Sequence, residues 1–466
     1  MDFSSIVEAL QQQIEILNQR IVYLEQENTA LREEMKILKE DNTRLRQENN
    51  QLKERLGLNS TNSSLPPSRD LYRAKKNRTR SGRKPGAQPG HKPQGYKLKT
   101  PDEIIDVFPG LCSCGYKMEI SSTYQIHQKM EIPPIKAYVT EYHLYHGFCS
   151  SCGNQNTANL PKGISSDLLG DHAKAVISAL SGFFHNSKRD VQRILHDIFH
   201  LPISLGLVSI TEKRVSHKLK SSYDELCEKM EGSPYLHIDE TGHKCKGERG
   251  WGWIFTNRNM SVLKLTSSRG KKVLQSILPA YEGQIISDRY GAYRYFEDEK
   301  RQICWSHLKR DFQRFAHSRH ETLAEHGRIL EQISHEVFIL EKSFKNQVID
   351  HLFFIRRIRK LKKRMLYALK SVLNVPDCPH AHRVANNLLN SFEMMWRFVD
   401  NREIESTNNL AERQIRKYVV YRKKSLFTWS QRGNEFIERI LSLFLTCRLQ
   451  NQNAFLSLSQ LVSKNA

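Results

Sequence analysis

No run of apolar residues in this 466-residue chain approaches the roughly 20 needed to cross a bilayer, and residues 1–30 are amphipathic rather than signal-like. A membrane partner is therefore not expected. Acidic residues are in deficit. There are 50 Asp and Glu against 72 Lys and Arg, a formal charge of +22 that points to nucleic acid or another anionic surface. The nine cysteines are an odd number in a long chain, so free thiols in a reducing, cytoplasmic compartment, some of them binding metal, fit better than a disulfide framework.

Proline and glycine are absent from residues 1–56, and a heptad repeat fills that stretch. Leucines recur every seventh residue at Leu10, Leu17, Leu24, Leu31, Leu38, Leu45 and Leu52, with Val7, Ile14, Ile21, Asn28, Met35, Asn42, Asn49 and Leu56 at the other seam position. The pattern predicts a coiled-coil helix about 80 Å long over residues 1–58. The three seam asparagines favour two strands in fixed register. Across a parallel partner the flanking residues pair as Arg20–Glu25, Glu27–Arg32, Glu34–Lys39, Asp41–Arg46 and Glu48–Lys53, all of opposite charge. A homodimer, or a higher oligomer on the same seam, is the expectation; a solvated single helix has no need of this agreement.

Composition changes after Leu56. Residues 59–105 read as a flexible basic linker, with eleven Lys or Arg against one Asp between Arg69 and Lys99. Arg80, Arg83 and Lys84 are its candidate phosphate contacts. From 106 to 162 two Cys-Gly knuckles, Cys112-Ser-Cys114-Gly115 and Cys149-Ser-Ser-Cys152-Gly153, bracket the strand-like alternation Ala137–Tyr145. They suit a four-thiolate structural Zn²⁺ site, a zinc-ribbon-like module, although C-x-C is tighter than usual. Unligated cysteines, or His143 or His146 as substitute ligands, remain alternatives.

Residues 163–232 read as helices. The break at Leu201-Pro202 and Gly206 ahead of a basic helix at 208–215 is compatible with a helix-turn-helix, and equally with a helical linker domain. From Pro234 the period changes to strands: Tyr235–Asp239, Gly250–Thr256 and Ser261–Thr266 form a meander, helix Lys271–Tyr281 follows, and a fourth strand Gly283–Asp288 returns parallel to the first. This is the opening of a ribonuclease-H-like fold. Its first part spans 233–307, a basic helical stretch spans 308–404, and final helices span 405–466. The whole is a multidomain α+β chain.

Asp239 and Asp288 each close an apolar strand, where parallel neighbours would bring their carboxylates together. Such a pair binds Mg²⁺ or Mn²⁺, and two ions would serve an in-line displacement at phosphorus. A third acid is needed. Glu412 is the best candidate, with an N-terminal capping box from Asn409 as its local alternative. Glu240, Asp311, Asp400, Glu403 and Glu405 compete but read as surface or supporting groups. Arg413, Arg416 and Lys417 could meet DNA phosphates or neutralise the acids. Trp429 reads as core rather than as a stacking platform for a base.

The blocks His237-Ile-Asp-Glu-Thr-Gly242, Ser287-Asp-Arg-Tyr-Gly-Ala-Tyr293, Cys304-Trp-Ser-His-Leu-Lys-Arg-Asp-Phe312 and Asn408-Asn-Leu-Ala-Glu-Arg413 resemble, in order, those of bacterial DDE transposases of the insertion-sequence-66 family. Gly86-Ala-Gln-Pro-Gly-His91 and the cysteine knuckles resemble that family's N-terminal region. The resemblance implies a ribonuclease-H-like core with Asp239, Asp288 and Glu412 as metal ligands, the 308–404 stretch as an insertion, and cleavage and transfer of double-stranded DNA at element ends and target. It also implies a nucleoid-associated protein working with or without other element-encoded proteins. Cys304-x-x-His307 is similar to a C(2)H pair of such enzymes, which either buttresses the insertion or binds metal. The rival readings are a non-catalytic zipper and zinc DNA-binding regulator and a nuclease that cleaves without joining.

Overall fold

The computed structural model describes residues 3–56 and 98–464. Arg80, Arg83 and Lys84 lie outside the described residues. The chain divides into two compact units, one of Met1–Leu71, Gly163–Lys188 and Ser209–Ala466, the other of Tyr72–Lys162 and Arg189–Val208. Within the first, helix α1 (Phe3–Leu56) is continuous, as a stretch free of Pro and Gly allows. Its seam leucines from Leu17 to Leu52 are 43–65% exposed, so the apolar stripe lies open along this single helix.

The second unit contains little regular structure between residues 98 and 162. Strands β1 (His146–Phe148) and β2 (Gln155–Thr157) form an antiparallel hairpin whose turn carries Cys149 and Cys152. The alternating segment Ala137–Tyr145 does not form a strand. Alternation supplies two faces but not a partner: among the described residues no strand pairs with this segment, although its last residue, Tyr145, accepts the Ala158 amide at 3.0 Å beside the hairpin; Tyr138 and Val139 are 94% and 81% exposed. Helix α2 (Asp171–Ser181) belongs to the first unit, and α3 (Lys188–Phe199) lies almost wholly in the second. The break before α4 (Leu205–Lys218) falls at 200–204, as Pro202 predicts.

Helix α5 (Lys220–Glu231) leads into a five-stranded sheet of β3 (Tyr235–Cys245), β4 (Glu248–Thr256), β5 (Ser261–Thr266), β6 (Gln284–Ser287) and β7 (Arg301–Ile303), in the order β5-β4-β3-β6-β7. The first three are antiparallel; β6 runs parallel to β3, and β7 parallel to β6. Helix α6 (Lys271–Ile277) makes the crossover and ends two residues before Pro279, shorter than its apolar pattern suggested. Strand β3 also runs past Asp239 to Cys245, because β4 begins at Glu248 and pairs with the polar extension.

Strand alternation divides the sheet into two faces. Leu236, Ile238, Trp253, Phe255 and Val262 pack against α5, α6 and Tyr293. Ile254, Leu263 and Leu265 pack against α2, α4, α12 (Asn409–Lys424), α13 (Gln431–Leu449) and α14 (Ala454–Lys464). Helix α13 also covers the open edge of β5. Thr446 Oγ1 and Ser442 Oγ accept the Ser261 and Leu263 amides at 3.1 and 2.9 Å, and Glu438 Oε1 accepts that of Leu265. Side chains four residues apart on one helix face thereby take amides two residues apart on a strand, satisfying an edge that would otherwise pair with another chain.

Helices α7 (Trp305–Ala316), α8 (Glu321–Lys345), α9 (His351–Leu373), α10 (Pro379–Asn390) and α11 (Arg397–Asp400) form a third core that reaches the sheet at Tyr235, Ile286 and Ile303. Gln302 of β7 is fully buried because its side chain donates to the Met395 carbonyl and accepts from the Phe398 amide. That polar anchor is why β7 has no apolar signature in the sequence.

Candidate active site

The register places the acids. His237 of β3 pairs with Ile286 of β6, so two residues further Asp239 stands beside Asp288, just past the end of β6. Asp239 is opposite Ile254 across β3 and β4 and shares its face, the one covered by α12; Glu240 is opposite Trp253 and shares the face of Tyr293. Asp239 therefore lies within β3 rather than at its end. Asp288 leaves the sheet in a turn, its Oδ1 accepting the Tyr290 amide at 2.8 Å.

Glu412 arrives from the first turn of α12. The residue that seats that turn is Asn408. Its backbone amide donates to Cys304 Sγ at 3.1 Å, its side-chain amide to the Ile238 carbonyl at 2.7 Å, and its Oδ1 faces His237 Nδ1 at 3.2 Å. Because the Asn408 amide nitrogen is committed to Ile238, its oxygen is the acceptor and His237 carries its proton on Nδ1. Burial pulls His237 down to about 4, against the help of Asn408. The capping box does not form. Asn409 Oδ1 accepts from Ser306 Oγ at 3.2 Å instead, and Glu412 Oε1 is buried without a hydrogen-bond partner.

The carboxylates act on one another. Burial first, then Glu240, Asp288 and Glu412, push the Asp239 carboxyl well above the ordinary range. Glu240, expected to be a surface or supporting group, is buried: burial and then Asp288 raise it to about 7, while a 2.7 Å hydrogen bond from Tyr293 and the Arg269 guanidinium at 3.8 Å oppose the rise. Arg269 is itself held between the Trp251 and Tyr290 rings, 4.3 and 4.2 Å from their centres. Burial and then Arg310 hold His307 below the usual imidazole range, against Asp288, Glu412 and Asp311.

The other acids are committed or distant in role. Asp311 pairs with Arg289 and Glu405 with Arg258, whereas Asp400 and Glu403 are exposed. Arg413 and Arg416 are exposed on α12, but Lys417 is half-buried with its ammonium 5.1 Å from the Phe183 ring. Trp429 is not core; it is 71% exposed. Leu426 and Phe427 both adopt positive φ, which turns Phe427 inward against His243 and leaves Leu426 and Trp429 outside.

Each cysteine knuckle forms its own turn. The Gly115 amide donates to the Cys112 carbonyl and the Gly153 amide to the Cys149 carbonyl, both at 2.8 Å, with the glycines at φ +89° and +73°. Amides and thiols of the partner knuckle residues, Cys114 foremost for Cys112 and Cys152 for Cys149, lower the two leading thiols. Among the described residues the four sulfurs do not converge in one cluster; the group that does is Cys304, His307 and Glu412.

The family model described as "Transposase IS66 family" matches residues 188–436, a span that holds Asp239, Asp288 and Glu412, and "Family of unknown function (DUF6444)" matches residues 5–97. The chain is similar to "Uncharacterized protein y4qI" of Sinorhizobium fredii (strain NBRC 101917 / NGR234), 23% identical over 295 residues, 57% of this chain and 54% of that protein. It thus spans about half the length of that relative. No helix among the described residues is long and apolar enough to cross a membrane. With more than half of its length matched by the family model, over the sheet, helices α7 to α11 and the three candidate acids, the chain belongs to the IS66 family of transposases.

Proposed function

We propose that this chain is a DDE-type DNA transposase that binds the ends of an insertion element and carries out divalent-metal-dependent strand cleavage and strand transfer. The observation that carries the reading is the meeting of Asp239 on β3, Asp288 just past the end of its parallel neighbour β6, and Glu412 in the first turn of α12. The order β5-β4-β3-β6-β7, with its first three strands antiparallel and the last two parallel, supports a ribonuclease-H-like core.

The donors fit a hard divalent ion. All three are carboxylates, burial and then Glu240, Asp288 and Glu412 push Asp239 toward its protonated form, and Glu412 keeps a buried oxygen without a hydrogen bond. Asp239, Asp288 and Glu412 would hold Mg²⁺ or Mn²⁺, which when bound as a pair activates an attacking hydroxyl and stabilises a departing 3′ oxygen. The protein's own part is placement. Asn408 ties α12 to β3, so that Glu412 and Asp239 stay in one geometry, and Arg413 and Arg416 stand exposed near Glu412 to receive phosphates. The coiled coil of α1 would join two copies, the basic residues Arg80, Arg83 and Lys84 would hold DNA, and Cys112, Cys114, Cys149 and Cys152 would take a structural Zn²⁺ once the knuckles close on it.

Incubating the full chain with end-bearing DNA and Mg²⁺ tests the reading. Products joined to target DNA, abolished by chelation, are expected. Cleavage without joining would make it a nuclease, and binding without either product a regulator.

A further inference from the structure

We propose that Cys304, His307 and Glu412 form a second cation site, selective for a thiolate-preferring ion such as Zn²⁺, which shares Glu412 with the carboxylate site. One donor atom from each, a sulfur, a ring nitrogen and a carboxylate oxygen, lies within 4.8 Å of the others. Cys304 precedes α7 and His307 sits in its first turn, a spacing that sets both on one side of the helix start, while Glu412 projects from the first turn of α12. Two of the donors are unused. His307 Nδ1 and Glu412 Oε1 are buried, lack hydrogen bonds, and face each other at 3.9 Å.

The sulfur is prepared in a different way. Cys304 is fully buried and its Sγ accepts the Asn408 amide, the kind of amide-to-sulfur bond that orients a metal-bound thiolate. A sulfur, nitrogen and oxygen set selects Zn²⁺ over Mg²⁺, and three protein donors leave a fourth tetrahedral position to water. On binding, the Cys304 thiol gives its proton to solvent. The Arg310 guanidinium, 3.9 Å from Glu412 Oε1, is the cation the ion must displace. Sharing Glu412 rests on its assignment to the catalytic site, and it makes the ion an inhibitor, because a Glu412 carboxylate held by Zn²⁺ is withdrawn from Asp239 and Asp288.

Cobalt titration of the full chain tests this, since Co²⁺ replaces Zn²⁺ and a cobalt–thiolate bond adds a near-ultraviolet charge-transfer band. The thiolate charge-transfer band, above the constant contribution of the N-terminal knuckles, should develop in wild type and Asp239→Asn and be lost in His307→Ala and Cys304→Ala, whatever cobalt the carboxylate site takes up. Glu412→Gln should weaken the binding that this band reports and Arg310→Ala should strengthen it. If Cys304→Ala does not fold, the partly exposed His307→Ala still decides. Equal cobalt uptake with the same spectrum in wild type and His307→Ala overturns the site. In cleavage assays Zn²⁺ should inhibit wild type more strongly than His307→Ala, and equal inhibition overturns the sharing of Glu412. An active Asp239→Asn variant with its cobalt–thiolate band intact would overturn the catalytic assignment alone.

Discussion

At the scale of single residues, buried acids make stability depend on pH. Glu438 holds the Leu265 amide at the edge of β5, and burial raises its carboxyl to about 7 from an ordinary 4.5. The folded state therefore binds more protons than the unfolded one between pH 4.5 and about 7, and stability falls as pH rises through that window, by up to about 3 kcal/mol for this group. Glu438→Gln keeps an acceptor for Leu265 and removes the titration. Chemical denaturation at pH 5 and pH 8 should show a smaller loss of stability in the variant; an unchanged difference would mean that Glu438 ionises freely. Residues such as this one, and Glu240, were hard to read from the sequence for a common reason. A carboxylate beside a strand or on a helix looks solvated until the element that covers it is known. The placement of Asp239 beside Asp288 was legible because each follows an apolar run in a parallel pair. Trp429 was misread because two left-handed residues, Leu426 and Phe427, reverse which aromatic points inward.

Elements were legible where their pattern was local, and obscure where a neighbour supplies the pattern. Strand β5 stands where its residues predict, whereas the helical stretch expected to run on from Asn409 breaks between Lys424 and Gln431 into α12 and α13. Strand β7 is polar and is recognisable only through the hydrogen bonds of Gln302 to Met395 and Phe398. The alternation at 137–145 has the pattern of a strand without a partner. Helix packing gives a sharp test. Gly327 of α8 lies against the α7 backbone at Phe315 and Ala316, where a Cβ would collide with main-chain atoms that cannot rotate away. Gly327→Ala, which would stabilise an isolated helix, should here cost about 1–3 kcal/mol or more. A thermal melt at or above that of wild type would show that α7 and α8 separate easily. A matching substitution at Gly206, where a Cβ has its nearest neighbour at 3.8 Å, should be tolerated far better.

At the scale of the whole molecule, the proposed function requires an assembly helix, a DNA-holding region and a carboxylate site in one chain. On that proposal the open leucine seam of α1 and its opposite-charge flanks join two copies. Removing residues 1–58 should leave a monomer in sedimentation, and a dimer unchanged by the deletion would place the interface elsewhere. In the proposed function basic residues hold DNA through counterion release, so end binding should weaken steeply with salt, while the acids act only at the reacting phosphate. That division of labour is tested most directly by measuring end binding and strand transfer together for Asp239→Asn, Asp288→Asn and Glu412→Gln. Binding close to wild type is expected in all three, with strand transfer lost in each. Strand transfer near wild type in the Asp239 and Asp288 variants would contradict the mechanism, and transfer surviving only in the Glu412 variant would contradict the third ligand.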